Sequence, residues 1–321
     1  MQTEATVSQI APLALAELVD LAAALAAEGV APATRRAYAR AWRQWSTWCE
    51  LQGCDARPAA PGALCAYLAH LVNLGRAVAT LQQQLAAIAV AHKAAGLQSP
   101  TDCPQVRAVM RGARRRLGVA PRRPREPAML DDLRAMVGAC PPTVAGDRDR
   151  AILLVGFAGA FRRSELVSLE LRDFRTSAEG FTVTIRTSKT DQEGEGRVIG
   201  LPRAKRLELC PVAAAETWIK RAGIVDGALF RAVDRHDRVR GAGLGDRVVA
   251  TVVQRAARLA GLDAHQLAGH SLRRGFCTEA ARAGCTEAAI MRQTGHKSAR
   301  TVRGYIREGS VFLDNAASRI L

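Results

Sequence analysis

Residues Ala268 to Tyr305 read AGHSLRRGFCTEAARAGCTEAAIMRQTGHKSARTVRGY. His270 and Arg273 stand three apart, Gly295 and His296 form a pair, and Tyr305 follows nine residues after His296. A guanidinium clamps phosphate oxygens, an imidazole moves protons or donates hydrogen bonds, and a phenol can attack. These residue types therefore suit phosphoryl transfer. Positions three apart share a helix face, so His270 and Arg273 can converge while the adjacent Arg274 points elsewhere.

Upstream, DRVVATVVQRAARL predicts a helix over 245–261 with Arg247, Arg255 and Arg258 toward solvent or DNA. A helix is expected near 130–139, and DRAILLVGFAGAF predicts a buried one over 149–161. FRRSEL follows directly, so Arg162 would stand at the end of a buried helix, where a charge needs an anionic partner or a task. Glu165 is available as that partner. FTVTIRT (181–187) and RVIGL (197–201) alternate as strands, and the polar SKTDQEGEG between them carries Lys189. Taken alone, Lys189 reads as an ordinary surface lysine. Pro211 to Ala222 reads as a helix, 231–245 as a polar loop, and the chain ends in a short apolar helix with Phe312 and Leu313.

The first half is helical throughout, over about 10–28, from a Thr34 cap onward, and over 61–74, 79–95 and 102–117. Tyr38, Trp42, Trp45 and Cys49 recur at helical spacing, which predicts a core stripe, and Arg35, Arg36, Arg40 and Arg43 lie off it. Those arginines are candidates for a DNA backbone, as are Arg107, Arg111, Arg114 and Arg115; Gln83 could pair with a base edge. GVAPRRPREP lacks apolar periodicity and reads as a linker. The expected organisation is a helical domain over 1–117, a basic linker over 118–127 and an α+β domain over 128–321: a mainly α chain with a small β-sheet.

Lys and Arg together number 46 against 30 Asp and Glu in 321 residues, a net charge of +16. Splitting the chain after Glu126 leaves 15 basic and 8 acidic residues before the break and 31 and 22 beyond it, so both halves are positive. A polyanionic partner is implied. No apolar run is long enough to span a bilayer, and the acids at Glu17, Asp20 and Glu28 argue against a secretory leader. The eight cysteines show no Cys-x-x-Cys or paired Cys/His spacing, so reduced thiols and no zinc site are expected.

FRRSEL (161–166), TSKT (187–190), HSLRR (270–274), TGH (294–296) and Tyr305, in that order, resemble the tyrosine recombinase (phage integrase) family. The first half, with WCELQG and TLQQQLAAIAVAHKAAGL, resembles the core-binding domain of Cre-type members; Cre itself has tryptophan where this chain has His296, and histidine is the commoner choice in the family. The resemblance implies Tyr305 as nucleophile forming a 3′-phosphotyrosine, Arg162 and Arg273 on the phosphate oxygens and Lys189 protonating the leaving 5′ oxygen. It further implies His270 assisting at the tyrosine, His296 donating to the phosphate and Glu165 orienting the cluster from behind. No metal or cofactor is implied. The partner would be double-stranded DNA with inverted-repeat sites, bound by a homotetramer assembled from monomers, in the cytoplasm at the nucleoid. The C-terminal helix read from the sequence could pack on its own domain or on a neighbour, and the resemblance implies docking on a neighbouring copy. A type IB topoisomerase uses the same chemistry, and a non-catalytic DNA-binding protein on this scaffold is a third reading.

Overall fold

The computed structural model describes residues 29–119, 125–186 and 196–309, a few positions between 14 and 21, and side chains as far as 306. Most of the 10–28 helix, Lys189 with its loop, and the terminal 311–321 segment lie outside the described residues. The chain divides into two compact units, Met1–Arg123 and Pro124–Leu321. Among the described residues no helix is long and apolar enough to cross a membrane.

The first unit contains α1 (Pro32–Gln52), α2 (Pro61–Asn73), α3 (Val78–Ala94) and α4 (Pro104–Leu117). Proline opens α1, α2 and α4, where its missing N–H is no loss and its fixed φ suits the first turn. That preference starts α1 at Pro32, two residues before the expected Thr34 cap. Gly53 closes α1 in the left-handed conformation at φ 64°. Trp45 is wholly buried, stacks on Trp48 at 5.7 Å and packs on Tyr67 at 5.0 Å. The aromatic stripe is therefore core. Arg35, Arg36, Arg40, Arg43, Arg107, Arg111, Arg114 and Arg115 are all exposed, as is Gln83, while Gln84 is buried and donates to Gln44 Oε1 at 2.7 Å.

The second unit opens with α5 (Leu130–Gly138), α6 (Val144–Ala158) and the short α7 (Arg163–Ser168). It is packed from the end of the stretch read as linker: Glu126 N–H donates to Gln266 O at 2.8 Å, and Ala128 N–H to Ser271 O at 3.0 Å. The buried helix is displaced from its expected span. Thr143 Oγ1 accepts from Gly146 N–H at 3.0 Å and the Asp237 carboxylate from Val144 and Ala145 N–H, so α6 begins before Asp149. It stops at Ala158 because Ala160 turns to φ 46°, and Arg162 therefore caps α7 instead of ending the buried helix.

An antiparallel sheet follows: β1 (Phe174–Thr176), β2 (Gly180–Ile185) and β3 (Arg197–Pro202), in that order. Phe181 faces Leu201 and Val183 faces Ile199, all four buried, which pins the register. After α8 (Pro211–Ala222) the expected polar loop is a hairpin, β4 (Arg231–Val233) with β5 (Val239–Gly243). A register shift and its glycines hide the period-two pattern. Then come α9 (Asp246–Leu259), α10 (Gly269–Arg282), α11 (Glu287–Thr294) and α12 (Ala299–Gly309).

Candidate active site

The site is built on α10. Gly275 lets the helix lie against the 125–129 segment, since a Cβ there would stand 1.7 Å from Ala128 O. Gly269 likewise accommodates the Arg163 stem, which ties α7 to the start of α10. Arg273 is thereby carried into the interior at 1 % exposure, where it donates to Ala160 O at 2.6 Å. That carbonyl belongs to the same turn that sets Arg162. Burial and the neighbouring charge of Arg162 lower the Arg273 pKa to about 10, which leaves it cationic at neutral pH.

Arg273 Nη2 lies 3.1 Å from Nε2 and 3.4 Å from Nδ1 of His296. Such nearly equal distances put the guanidinium against the face of the ring, not in its plane. Thr294 Oγ1 is 2.7 Å from Ile290 O and 2.7 Å from His296 Nδ1. The carbonyl can only accept, so the hydroxyl gives it its one proton and Nδ1–H donates to the hydroxyl oxygen. A neutral His296 thus carries its proton on Nδ1 and presents a lone pair at Nε2. Burial and the charge of Arg273, with smaller contributions from Arg162, His270 and Arg197, lower its pKa to about 4.

Tyr305 descends from α12, which packs on α10 through Val302, Cys277 and Ala281. Its hydroxyl is 3.4 Å from His270 Nε2, and its ring centroid is 6.1 Å from that of His296. Loss of solvent around the ring lowers the His270 pKa to about 4, and the charges of Arg273, Arg274, Arg162 and Arg163 add to that. Arg274 does not point elsewhere: its guanidinium lies 5.8 Å from the Tyr305 ring centre.

Glu165, 1 % exposed, accepts from Arg162 Nη1 on Oε1 and from the Arg162 backbone N–H on Oε2 at 2.9 Å. Sequence reasoning missed Arg197, which donates to Glu165 Oε2 at 3.1 Å and to Gln293 O at 2.7 Å. Its half-buried position between Glu165 and the Gln293 carbonyl is visible only in three dimensions. Arg255 is exposed, as expected, and its guanidinium also pairs with the 3 % exposed carboxylate of Asp149. Arg258 is exposed on the same helix.

Tyr67, a fully buried phenol, has its pKa raised to about 12 by burial and lies in the first unit. A helical unit joined to an α+β unit, in which a phenol, two imidazoles and guanidiniums from several elements converge around α10, has the form of an enzyme that acts on DNA strands. The sequence model of the phage integrase family matches residues 129–310. The chain belongs to that family and is a tyrosine recombinase. It is 38% identical over 291 residues to an integrase/recombinase XerD homologue of Selenomonas ruminantium, covering 89% of this chain and 85% of the relative. To the recombinase Cre of Escherichia phage P1 it is 28% identical over 284 residues, 83% and 81% of the two chains. A lambda integrase dimer bound to a COC′ core site shares the fold at TM-score 0.60 and 16% identity, over 91% of this chain and 77% of the other.

Proposed function

We propose that the chain recombines DNA at specific sites by forming a 3′-phosphotyrosine at Tyr305. The observation that carries this reading is the Tyr305 hydroxyl 3.4 Å from a neutral His270, on the helix that also carries the buried Arg273. His270 takes the phenol proton as the oxygen attacks. Arg162 and Arg273 hold the non-bridging oxygens, where negative charge grows in the pentacovalent transition state. Lys189 delivers a proton to the leaving 5′ oxygen from the connection between β2 and β3. The phosphotyrosine conserves the bond energy, so rejoining needs no external energy source.

The substrate is double-stranded DNA with inverted repeats, and four copies exchange strands pairwise through a Holliday junction. Supporting the assembly, the second unit holds an apolar cavity of about 580 Å³ lined by Leu133, Leu154, Phe157, Phe276 and Ile290. Phe312 and Leu313 have the apolar character to fill such a cavity on a neighbouring copy.

A suicide duplex built on the inverted repeats flanking the coding sequence tests the chemistry. The wild type accumulates a covalent adduct and Tyr305→Phe none; an adduct with the phenylalanine variant overturns the nucleophile assignment. Plasmid relaxation at random sequence without any recombinant product would instead indicate a topoisomerase.

A further inference from the structure

We propose that Arg197 is a positioning residue for strand cleavage: it holds the carboxylate that orients Arg162 and the turn that carries His296. The inference rests on the phosphotyrosine reading above. Arg197 begins β3 opposite Ile185, a place where an alternating strand asks nothing of a guanidinium. Yet its side chain is only 19% exposed. Burying such a group is unfavourable unless its partners are well placed. Nη2 meets Glu165 Oε2 at 3.1 Å and Nη1 meets Gln293 O at 2.7 Å, while the buried Nε has no hydrogen-bond partner. Two residues on, Gly295 adopts φ 65° so close to this guanidinium that a Cβ there would stand 2.6 Å from Nε. The backbone leading into His296 is therefore shaped around Arg197.

The arrangement has an electrostatic consequence. Glu165 paired with Arg162 alone is a neutral couple, whose carboxylate would oppose the attraction of Arg162 for a phosphate. The second guanidinium leaves the trio with one net positive charge and still lets Glu165 fix Arg162 through both a side-chain and a backbone contact. A lysine can supply the charge but not the fork that reaches Glu165 and Gln293 together.

Full-length Arg197→Gln and Arg197→Lys proteins are compared with wild type for single-turnover adduct formation at saturating duplex, for non-covalent duplex affinity and for histidine ring titration. Both variants should slow adduct formation about 100-fold, the scale of a small displacement of a reacting group, with affinity changed less than about threefold. Removing the charge in Arg197→Gln should also raise the titration midpoint of His296 while leaving that of His270 in place, and Arg197→Lys should restore the midpoint but not the rate. Cleavage by a folded glutamine or lysine variant within about threefold of wild type overturns the proposal. So does a parallel loss of affinity and rate, which marks a scaffold role. If Arg197→Gln does not fold, the lysine variant decides. If the wild type itself forms no adduct, the phosphotyrosine reading fails first, and an unmoved His296 midpoint would still count separately against the placement of Arg197.

Discussion

His296 sits between two demands. Its Nδ1 proton is committed to Thr294, so donating to a phosphate oxygen through Nε2 requires a second proton, and its neighbours hold the free ring at a pKa of about 4. A bound phosphodiester reverses that field, and we expect the ring to charge as DNA arrives. In the free protein the His296 and His270 ring signals should titrate near 4 instead of the ordinary 6.5, and that of His296 should move upward with Tyr305→Phe protein on duplex DNA; an unmoved signal means that the ring never donates from Nε2. Stability follows with a fixed sign. Between about pH 6.5 and pH 4 the unfolded chain binds more protons than the folded one, so the histidine contribution is complete above that window and declines as pH falls through it. The urea midpoint should drop from about pH 7.5 to about pH 4.5, and His270→Asn with His296→Asn should flatten that drop. Five of the site residues could be read directly, because Arg162, His270, Arg273, His296 and Tyr305 stand in short motifs. Arg197 could not, since its partners are a carboxylate 32 residues away and a main-chain carbonyl 96 residues away.

Element boundaries were legible where capping chemistry is local and obscure where tertiary contacts decide. Pro211–Ala222 matches the pattern from its proline to the residue before Gly223. The start of α6 depends on Asp237, more than ninety residues distant, and its end on the positive φ of Ala160, so apolar periodicity misplaced both. The β4–β5 hairpin was invisible for a related reason: it is held by pairing across a register shift, not by alternating side chains. Glycines make the same contrast measurable. Gly275→Ala drives a methyl group into the Ala128 carbonyl and should destabilise the fold by about 1–3 kcal/mol, the usual range for overpacking. Gly112, inside α4 with open space where a methyl group would stand, should instead gain about 0.5–1 kcal/mol on conversion to alanine. Urea denaturation of the two variants reads both signs, and equal midpoints would mean that α10 does not press closely on the Ala128 carbonyl.

At the scale of the molecule, the division into two positive halves was already present in the charge count, with +7 and +9 summing to +16. What composition could not say is which cations are free to meet a polyanion. Arg255 is exposed but already paired with Asp149, and Arg197 is held largely inside against Glu165, whereas α4 buries Val106, Met110 and Ala113 and turns Arg107, Arg111 and Arg114 to solvent. Each phosphate neutralised releases condensed counterions, so affinity for duplex DNA should fall steeply with salt. If the exposed face of α4 contacts the backbone, replacing Arg107, Arg111 and Arg114 together by glutamine should reduce the slope of log K against log salt by about 2.7, at about 0.9 per contact. Phosphate contacts carry no sequence information, so target and unrelated duplexes should weaken by the same factor. A slope equal to that of wild type removes α4 from the interface. A selective loss on the target alone would mean that these arginines read bases, and the sequence-independent share of the binding would then have to come from other exposed cations, with Arg35, Arg36, Arg40 and Arg43 on α1 the next to replace.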